Sequence, residues 1–294
     1  MKIGFNALCF HQMKFEDVID FASKNGFSQI EVVCSPKDTI GLHHIDVEDI
    51  DEKSAGKIKE LLKKKGVSIS CLSHYANILM PFEEDEDYHI SYLSKVISAA
   101  AELGVDKVST FTGSIPGISI QENINIFAEK IWPLLTKAKS LNVKVMLENT
   151  PLIGMSGPGG NFAYSPELWD MIFTKLPDEN LGLNYDPSHL FWLGADYMLF
   201  LKLFSDRIFQ VQAKDAEILV ERLRMTGILS GNWFRYRIPG YGSIDWRKFI
   251  SSLYEAGYDD VLIIENEDSV WSGDIEKIGR GLLLGKKFIK NFVI

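Results

Sequence analysis

The chain has 294 residues, of which 46% are hydrophobic and 24% are charged, and its formal net charge at pH 7 is −9. These values describe a globular protein with a substantial core, and the acidic balance argues against nucleic acid as a routine partner. No apolar run approaches the ~18 residues of a membrane span. Three cysteines, Cys9, Cys34 and Cys71, lack any CxxC spacing, which is typical of buried thiols in a reducing compartment. We therefore expect a cytoplasmic protein with neither a membrane nor a nucleic-acid partner.

Short apolar runs alternate with longer amphipathic segments along the chain. The strands are predicted at residues 3–7, 29–33, 68–72, 107–111, 144–148, 181–186, 208–215 and 260–265. The helices are predicted at residues 15–24, 54–65, 86–103, 122–140, 166–175, 197–204, 245–255 and 275–290. The first helix shows the pattern clearly, with apolar Phe15, Val18, Ile19 and Ala22 on one face. Residues 217–243 show no such pattern and are predicted to be irregular.

Eight repeats of strand then helix predict a single-domain (β/α)₈ TIM barrel over residues 1–294. Crossover helices imply parallel strands, and eight units in somewhat over ~250 residues suit a closed barrel. The competing architecture is a doubly wound sheet, which usually carries a glycine-rich phosphate turn after its first strand. The turn Asn6-Ala-Leu-Cys-Phe10 contains no glycine, so the sequence favours the barrel.

Four predicted strands end in a side chain that offers an oxygen atom. These residues are Glu148, Asp186, Gln212 and Glu265. Active sites of such barrels lie where the strands end, and carboxylates gathered there would repel each other and resist desolvation. A divalent cation resolves both problems, whereas any single acid could instead cap a helix or form a salt bridge. The pattern on neighbouring strands favours a metal-centred site.

The same residues resemble a known family. The resemblance lies in Glu148, Asp186-Pro-Ser-His189, Gln212-Ala-Lys214-Asp215 and Glu265, and in the run from Arg235 to Trp246, RYRIPGYGSIDW. These motifs are similar to those of the xylose-isomerase-like TIM-barrel superfamily, in the sugar phosphate isomerase/epimerase branch that includes tagatose and psicose 3-epimerases. The last run also resembles a subgroup in which some members act on keto sugars or glycosides. The resemblance covers essentially the whole chain.

The resemblance implies a set of roles. Glu148, Asp186, the residue at 212 and Glu265 would bind one divalent metal, and Glu148 and Glu265 would serve as an acid/base pair on opposite faces of the sugar. His189 would contact a substrate oxygen. The family usually has histidine where this chain has Gln212, so the ligands here would all be oxygen atoms. Such a set favours Mn²⁺ or Mg²⁺ over Zn²⁺, or else marks a weakened site.

The chemistry that suits these parts is removal of a proton beside a carbonyl, with the metal stabilising the enediolate as a Lewis acid. Return of the proton to the opposite face epimerises the sugar, and return to the neighbouring carbon isomerises it. Lys214 could stabilise the anion or instead pair with Asp215 or Glu148.

Several other residues are candidates for substrate contacts. His74 and His11 follow predicted strands, and each is equally well explained as a loop histidine. Arg222, Arg235 and Arg237 lie in the irregular segment and could bind a carboxylate or phosphate, or simply face solvent. The same segment carries Trp233, Phe234 and Tyr236, which with Trp271 could form an apolar wall or a subunit interface. The glycine-rich loop 154–160 is interpreted as flexible backbone that could form a lid.

The predicted function is therefore that of a metal-dependent sugar isomerase or epimerase with a small-molecule carbohydrate substrate. The first alternative is a lyase or hydrolase, on a keto-glycoside rather than on DNA, because the histidine-rich zinc cluster of endonuclease IV-type enzymes is missing from these motifs. The second is a non-catalytic sugar-binding barrel. The sequence leaves the oligomeric state open, a homo-oligomer included.

Overall fold

Eight parallel strands close into a barrel in a computed structural model that describes residues 1–36, 44–81, 84–152 and 160–294. The barrel strands are β1 (Lys2–Asn6), β2 (Gln29–Val33), β3 (Ser68–His74), β4 (Lys107–Thr110), β5 (Lys144–Glu148), β6 (Leu181–Tyr185), β7 (Ile208–Ala213) and β10 (Val261–Ile264). They follow one another in chain order around the barrel, and β1 pairs with β10 to close it. The predicted (β/α)₈ barrel is confirmed.

Helices surround the barrel, and all of those in the described ranges except Val220–Thr226, which has no buried residue, bury part of an apolar face. They are α1 (Phe15–Lys24), α2 (Glu52–Lys65), α3 (Tyr88–Leu103), α4 (Ile120–Ser140), α5 (Pro166–Lys175), α6 (Pro187–Leu193), α7 (Tyr197–Leu203), α8 (Val220–Thr226), α9 (Trp246–Glu255) and α10 (Ile275–Ile289). Short 3₁₀ turns lie at Ala7–Phe10, Val47–Asp49, Ser205–Arg207, Ile228–Ser230 and Ser269–Trp271. None of the helices in the described ranges has the length and apolar character that a membrane span requires.

Local capping explains several of the helix boundaries. Asp51 and Ser54 form a reciprocal capping box at the start of α2, and Ser119 and Glu122 form another at the start of α4. Each box satisfies backbone N–H groups that have no partner within the helix. Gly66 ends α2 in the left-handed conformation, with φ of 66°, where a residue without Cβ is not strained.

The segment after β7 differs from its prediction. Residues 217–243 were expected to be irregular, but β8 (Asp215–Ile218) and β9 (Phe234–Arg237) pair antiparallel as a hairpin that encloses α8. Helix α6, which was not predicted, has only seven residues and lies between Asp186 and Gly194. That length is too short to show helical periodicity. Residues 154–159 of the proposed lid loop lie outside the described residues.

Polar side chains fill a layer inside the barrel where bulky apolar residues are usual. Glu31, Ser73, Ser109, Asn184 and Gln210, from β2, β3, β4, β6 and β7, are all buried and hydrogen-bonded to one another or to a shared neighbour. These five residues are called the polar layer below. The layer lies one inward-facing position before the strand ends, so it supports the side chains at the carboxyl end of the barrel.

Candidate active site

The structure brings the four strand-end residues together at the carboxyl end of the barrel. Glu148 ends β5, Asp186 follows β6 as the N-cap of α6, Gln212 lies in β7 and Glu265 follows β10. All four are buried. Nε2 of Gln212 donates to Oε1 of Glu265 at 3.1 Å and lies 3.4 Å from Oε2 of Glu148. The convergence expected from parallel strands is therefore present.

Lys214 connects the remaining carboxylates. Its Nζ lies 2.7 Å from Oε2 of Glu265, 3.0 Å from Oδ2 of Asp186 and 3.4 Å from Oε2 of Glu267. The ion pairs with Asp215 or Glu148 that the sequence suggested for Lys214 are not present among the described residues. Burial alone would lower the pKa of Lys214, but the charges of Asp186, Glu265 and Glu267 raise it well above its usual value. The side chain is therefore a buried cation.

Asp215 has a different role from the residues around it. Its carboxylate accepts hydrogen bonds from the backbone N–H groups of Ala216, Gly240 and Ile244 and from Nε1 of Trp246. These contacts hold the chain that returns from the hairpin to α9.

Glu148 and Glu265 ionise with difficulty. Burial raises the pKa of Glu265 to about 8, although the nearby ammonium of Lys214 opposes this rise. Burial, together with the charge of Glu265, raises the pKa of Glu148 well above its usual value. The site has more carboxylates than cations, because Glu31 also lies beneath it and Lys214 is the one buried cation among its described contacts.

His189 faces the same carboxylates from α6. Its Nε2 lies 3.3 Å from Oδ2 of Asp186 and 3.9 Å from Oε1 of Glu148, and its Nδ1 lies 3.0 Å from the hydroxyl of Tyr236. Burial, and then the charge of Lys214, lower the pKa of His189 well below its usual value, so the ring is neutral. A neutral ring that accepts from the Tyr236 hydroxyl at Nδ1 carries its proton on Nε2, where it faces the site.

The donor set fits a hard divalent cation. Oε1 of Gln212 is buried and has no hydrogen-bond partner in the described part of the chain. Three carboxylates and one amide oxygen are ligands that Mn²⁺ and Mg²⁺ accept. In the described ranges, no three His, Cys, Asp or Glu residues already stand in a metal-binding arrangement. The amide nitrogen of Gln212 and the ammonium of Lys214 lie between the carboxylates instead, so cation binding requires these two side chains to shift.

The other predicted contact residues lie apart from the carboxylates. His74 is buried against His89 and Tyr92 of α3, and its Nδ1 lies 3.2 Å from the carbonyl of Cys34. It follows Ser73, an inward residue, and so faces the helix layer. Burial and the neighbouring His89 lower the pKa of His74 to about 3.

Neither His11 nor the arginines form an ion pair with the site carboxylates in the described part of the chain. His11 is exposed after β1, and Arg222 is exposed on α8. Arg237 is nearly buried, with Nε 3.1 Å from Oδ2 of Asp268 and Nη1 3.6 Å from Oε2 of Glu217. Arg235 pairs with the same Glu217. These contacts of Arg235 and Arg237 join the hairpin to itself and to the chain after β10.

The aromatic residues of the hairpin form two groups. Trp233 and Phe234 pack on Trp192 in a small cluster separate from the main core. Tyr236 instead faces the site, with Nζ of Lys214 4.7 Å from its ring centre. Tyr236 is thus the member of the predicted aromatic wall that contacts the site residues.

Several residues of the site were missed from the sequence. Asn161 donates to the carbonyls of Glu148 and Thr150, and Asn149 exchanges two hydrogen bonds with the backbone of Asp186. Asn6 donates from Nδ2 to Glu265 at 2.8 Å and to Glu31 at 3.2 Å. One of these contacts could have been suspected from the sequence, because Glu31 is a carboxylate within an apolar strand. Tyr75 and Glu267 had no comparable signal.

Comparison with known proteins gives a consistent picture. Residues 19–287 match a family model described as a xylose isomerase-like TIM barrel. The protein YfiH of Bacillus subtilis (strain 168) is 26% identical, over 92% of this chain and 94% of its own length. Inosose dehydratase of Geobacillus thermodenitrificans (strain NG80-2) is 25% identical, over 71% of this chain and 72% of its own.

Two solved structures share the fold. A D-tagatose 3-epimerase-like protein superimposes with a TM-score of 0.73 at 20% identity, covering 99% of this chain and 97% of its own. A crystal structure of IolI protein with a bound zinc atom superimposes with a TM-score of 0.69 at 19% identity, covering 99% of this chain and 96% of its own.

Proposed function

The chain belongs to the xylose isomerase-like TIM barrel family, and on that premise we propose that it is a sugar isomerase or epimerase. Its reaction would be the transfer of a proton to and from a carbon beside a carbonyl group. The substrate class is a small hydroxy-ketone or hydroxy-aldehyde, free or as a keto-glycoside.

The relation between Glu148 and Glu265 carries the proposal. Both carboxylates are buried, and the single amide nitrogen of Gln212 lies 3.4 Å from one and 3.1 Å from the other. They therefore flank one common space. Burial raises the pKa of both groups, and a carboxylate with a raised pKa is a stronger base that also returns a proton near neutral pH. Two such groups serve as the base and the acid of one proton transfer.

The cation of the proposed site would be held by Glu148, Asp186, Glu265 and Oε1 of Gln212, and Mn²⁺ or Mg²⁺ suits this set. When bound, it supplies a Lewis acid that stabilises negative charge on the substrate oxygen. The zinc atom in the IolI structure, on the same fold, supports a metal site in principle. Gln212 favours Mn²⁺ or Mg²⁺ over Zn²⁺ at the proposed site, because zinc binds nitrogen more readily than an amide oxygen.

The surrounding residues would orient the substrate and its protons. Neutral His189 presents Nε2–H to the site and can donate to a substrate oxygen, while Tyr236 holds the ring in that tautomer. Lys214 offsets the charges of Asp186 and Glu265. Tyr75 and Phe111 stack with ring centres 4.8 Å apart and present an aromatic surface beside Gln212.

A dehydratase activity is the second candidate, and the similarity to inosose dehydratase favours it. Elimination begins with the same step: a glutamate takes the proton beside the carbonyl. The C–O bond one carbon further then breaks, and the second glutamate protonates the departing hydroxyl, which leaves as water. The residues for both reactions are the same, so the substrate decides between them.

Turnover in D₂O tests the proposal. The protein, loaded with Mn²⁺, is incubated with a panel of keto sugars, and the products are analysed by mass spectrometry and NMR. Isomerase or epimerase activity incorporates deuterium beside the carbonyl, whereas dehydratase activity yields a product lighter by one water. Glu148→Gln and Glu265→Gln should each lower the rate by ~10²–10⁴-fold, with metal content measured in both. A fully metallated Glu265→Gln variant with near-normal activity, or product without deuterium, would contradict the two-glutamate scheme.

A further inference from the structure

The polar layer beneath the site centres on Glu31. Its Oε1 accepts hydrogen bonds from Nδ2 of Asn6 at 3.2 Å, Oγ of Ser73 at 2.7 Å and the hydroxyl of Tyr75 at 2.5 Å. Its Oε2 accepts from Nε2 of Gln210 at 2.7 Å. Amide nitrogens only donate. Glu31 is therefore the common acceptor that orients these four donors.

The hydroxyl of Tyr75 can present only a lone pair to Gln212. A hydroxyl has one hydrogen and two lone pairs, and Glu31 at 2.5 Å is a nearer acceptor for the hydrogen than Oγ of Ser109 at 3.4 Å. The two lone pairs face Nδ2 of Asn184 at 3.2 Å and Nε2 of Gln212 at 3.3 Å.

A second route leads from Glu31 to the same hydroxyl. Nε2 of Gln210 donates to Glu31 and also lies 3.4 Å from Oδ1 of Asn184. The oxygen of the Asn184 amide is thereby used, and its nitrogen is left for Tyr75. This second set of contacts makes Tyr75 an acceptor from Asn184, and the bond from Tyr75 to Glu31 leaves the other lone pair for Gln212.

An amide group has almost the same shape when its oxygen and nitrogen exchange places. The contacts of Gln212 select one of these two orientations. The three groups around its Nε2 are the hydroxyl of Tyr75 and the carboxylates of Glu148 and Glu265, and all three accept. Its Oε1 is buried without a partner among the described residues. Only the oxygen of an amide binds a metal cation. A bound cation would occupy lone pairs of Glu148 and Glu265, so these carboxylates would no longer be free to accept from Nε2 of Gln212. Tyr75 would still accept, because its hydrogen is donated to Glu31.

We propose that Glu31, acting through Tyr75, is a positioning residue: it keeps Nε2 of Gln212 on the Tyr75 hydroxyl, so that Oε1 is the atom left for a divalent cation when the Gln212 side chain shifts to admit it. The inference rests on the metal site of the proposed function, in which Glu31 and Tyr75 would orient the ligand Gln212. Residues that orient a metal ligand by hydrogen bonding typically affect metal affinity as well as geometry.

A double-mutant cycle tests the inference through Mn²⁺ affinity, which does not depend on turnover. Metal-free protein is titrated with Mn²⁺, and free Mn²⁺ is followed by electron paramagnetic resonance. Tyr75→Phe should weaken binding by about 10-fold to 100-fold in the wild-type background. In the Gln212→Glu background it should weaken binding far less, because a carboxylate has two equivalent oxygens and no orientation to fix. Glu31→Leu, a second variant that removes the acceptor of the Tyr75 hydrogen without altering Tyr75, should weaken binding in the same direction.

Ser73→Ala is the matched control, because it removes another hydrogen bond to Glu31 without touching Tyr75 or Gln212. We expect its Mn²⁺ affinity to equal that of the wild type. Equal losses from Tyr75→Phe in both backgrounds would overturn the inference while leaving the metal site intact. A wild-type protein that binds no Mn²⁺ would overturn both this inference and the metal site of the proposed function.

Discussion

Nζ of Lys214 lies 2.7 Å from Oε2 of Glu265, at the ends of the neighbouring strands β7 and β10. Lys214 is 1% exposed, so its charge is balanced almost entirely by protein groups rather than by water. Removing it leaves Glu265 and Asp186 buried beside each other without a cation. A ligand with positive charge is the natural substitute.

We expect Lys214→Met to lower the free energy of unfolding of the metal-free protein by about 3–5 kcal/mol, because it leaves buried carboxylates without a cationic partner. Saturating Mn²⁺ should recover part of this loss, since bound metal stabilises the folded state. Urea unfolding with and without Mn²⁺ measures both effects. Lys248→Met, at an exposed pair with Asp245, is the control and should cost no more than ~1 kcal/mol. A Lys214→Met protein as stable as the wild type without metal would contradict this account.

Replacing Gln212 by histidine should change the metal preference. Gln212→His exchanges an amide oxygen for an imidazole nitrogen, a ligand that zinc accepts readily. We expect the ratio of Zn²⁺ to Mn²⁺ affinity to rise by about tenfold or more. Competition titrations of the two metals against wild type and variant measure the ratio. An unchanged ratio would show that residue 212 is not a ligand.

The hydroxyl of Tyr236 should matter to activity more than to stability. Tyr236→Phe removes the hydrogen bond to Nδ1 of His189 and leaves the ring free to change tautomer. Loss of one such hydrogen bond removes about 1 kcal/mol of stabilisation. We therefore expect kcat/KM to fall roughly fivefold to tenfold. Tyr241→Phe, at an exposed tyrosine outside the His189 contact, is the control. Equal kcat/KM for Tyr236→Phe and wild type would show that His189 needs no such support.

His74 makes the stability of the protein depend on pH. Burial lowers its pKa from 6.5 to about 3 in the folded chain. Between these values the unfolded chain binds one more proton, so stability is complete above pH 6.5 and falls as the pH decreases towards 3. The slope from one such group is about 1.4 kcal/mol per pH unit.

The neutral variant His74→Gln should therefore show a smaller fall in melting temperature from pH 7 to pH 5 than the wild type. Thermal unfolding at both pH values measures the difference. His11→Gln, at an exposed position, provides the comparison and should behave as the wild type does. The same fall in melting temperature in His74→Gln and wild type would show that this histidine is not the group responsible.

The barrel strands could be predicted from local pattern, because an apolar run bounded by polar residues appears in the sequence itself. The predicted strand 144–148 coincides with β5, and the predicted helix 15–24 with α1. The hairpin after β7 could not be predicted, because β9 is Phe-Arg-Tyr-Arg and is stabilised by pairing with Asp215–Ile218 and by ion pairs. The paired residues are separated by the segment that contains α8, and the local hydrophobic pattern does not indicate that they pair.

The candidate site divides in the same way. Strand ends that carry Glu148, Asp186, Gln212 and Glu265 pointed to one end of the barrel, since parallel strands bring their carboxyl ends together. The arrangement of donors and acceptors among them depends on pairs such as Glu31 with Gln210, which are 179 residues apart. Sequence alone determined which residues reach the end of the barrel, because strand length and direction are local properties. Tertiary structure decided which groups meet there and which atom each presents, because barrel closure and strand register bring distant side chains within hydrogen-bonding distance.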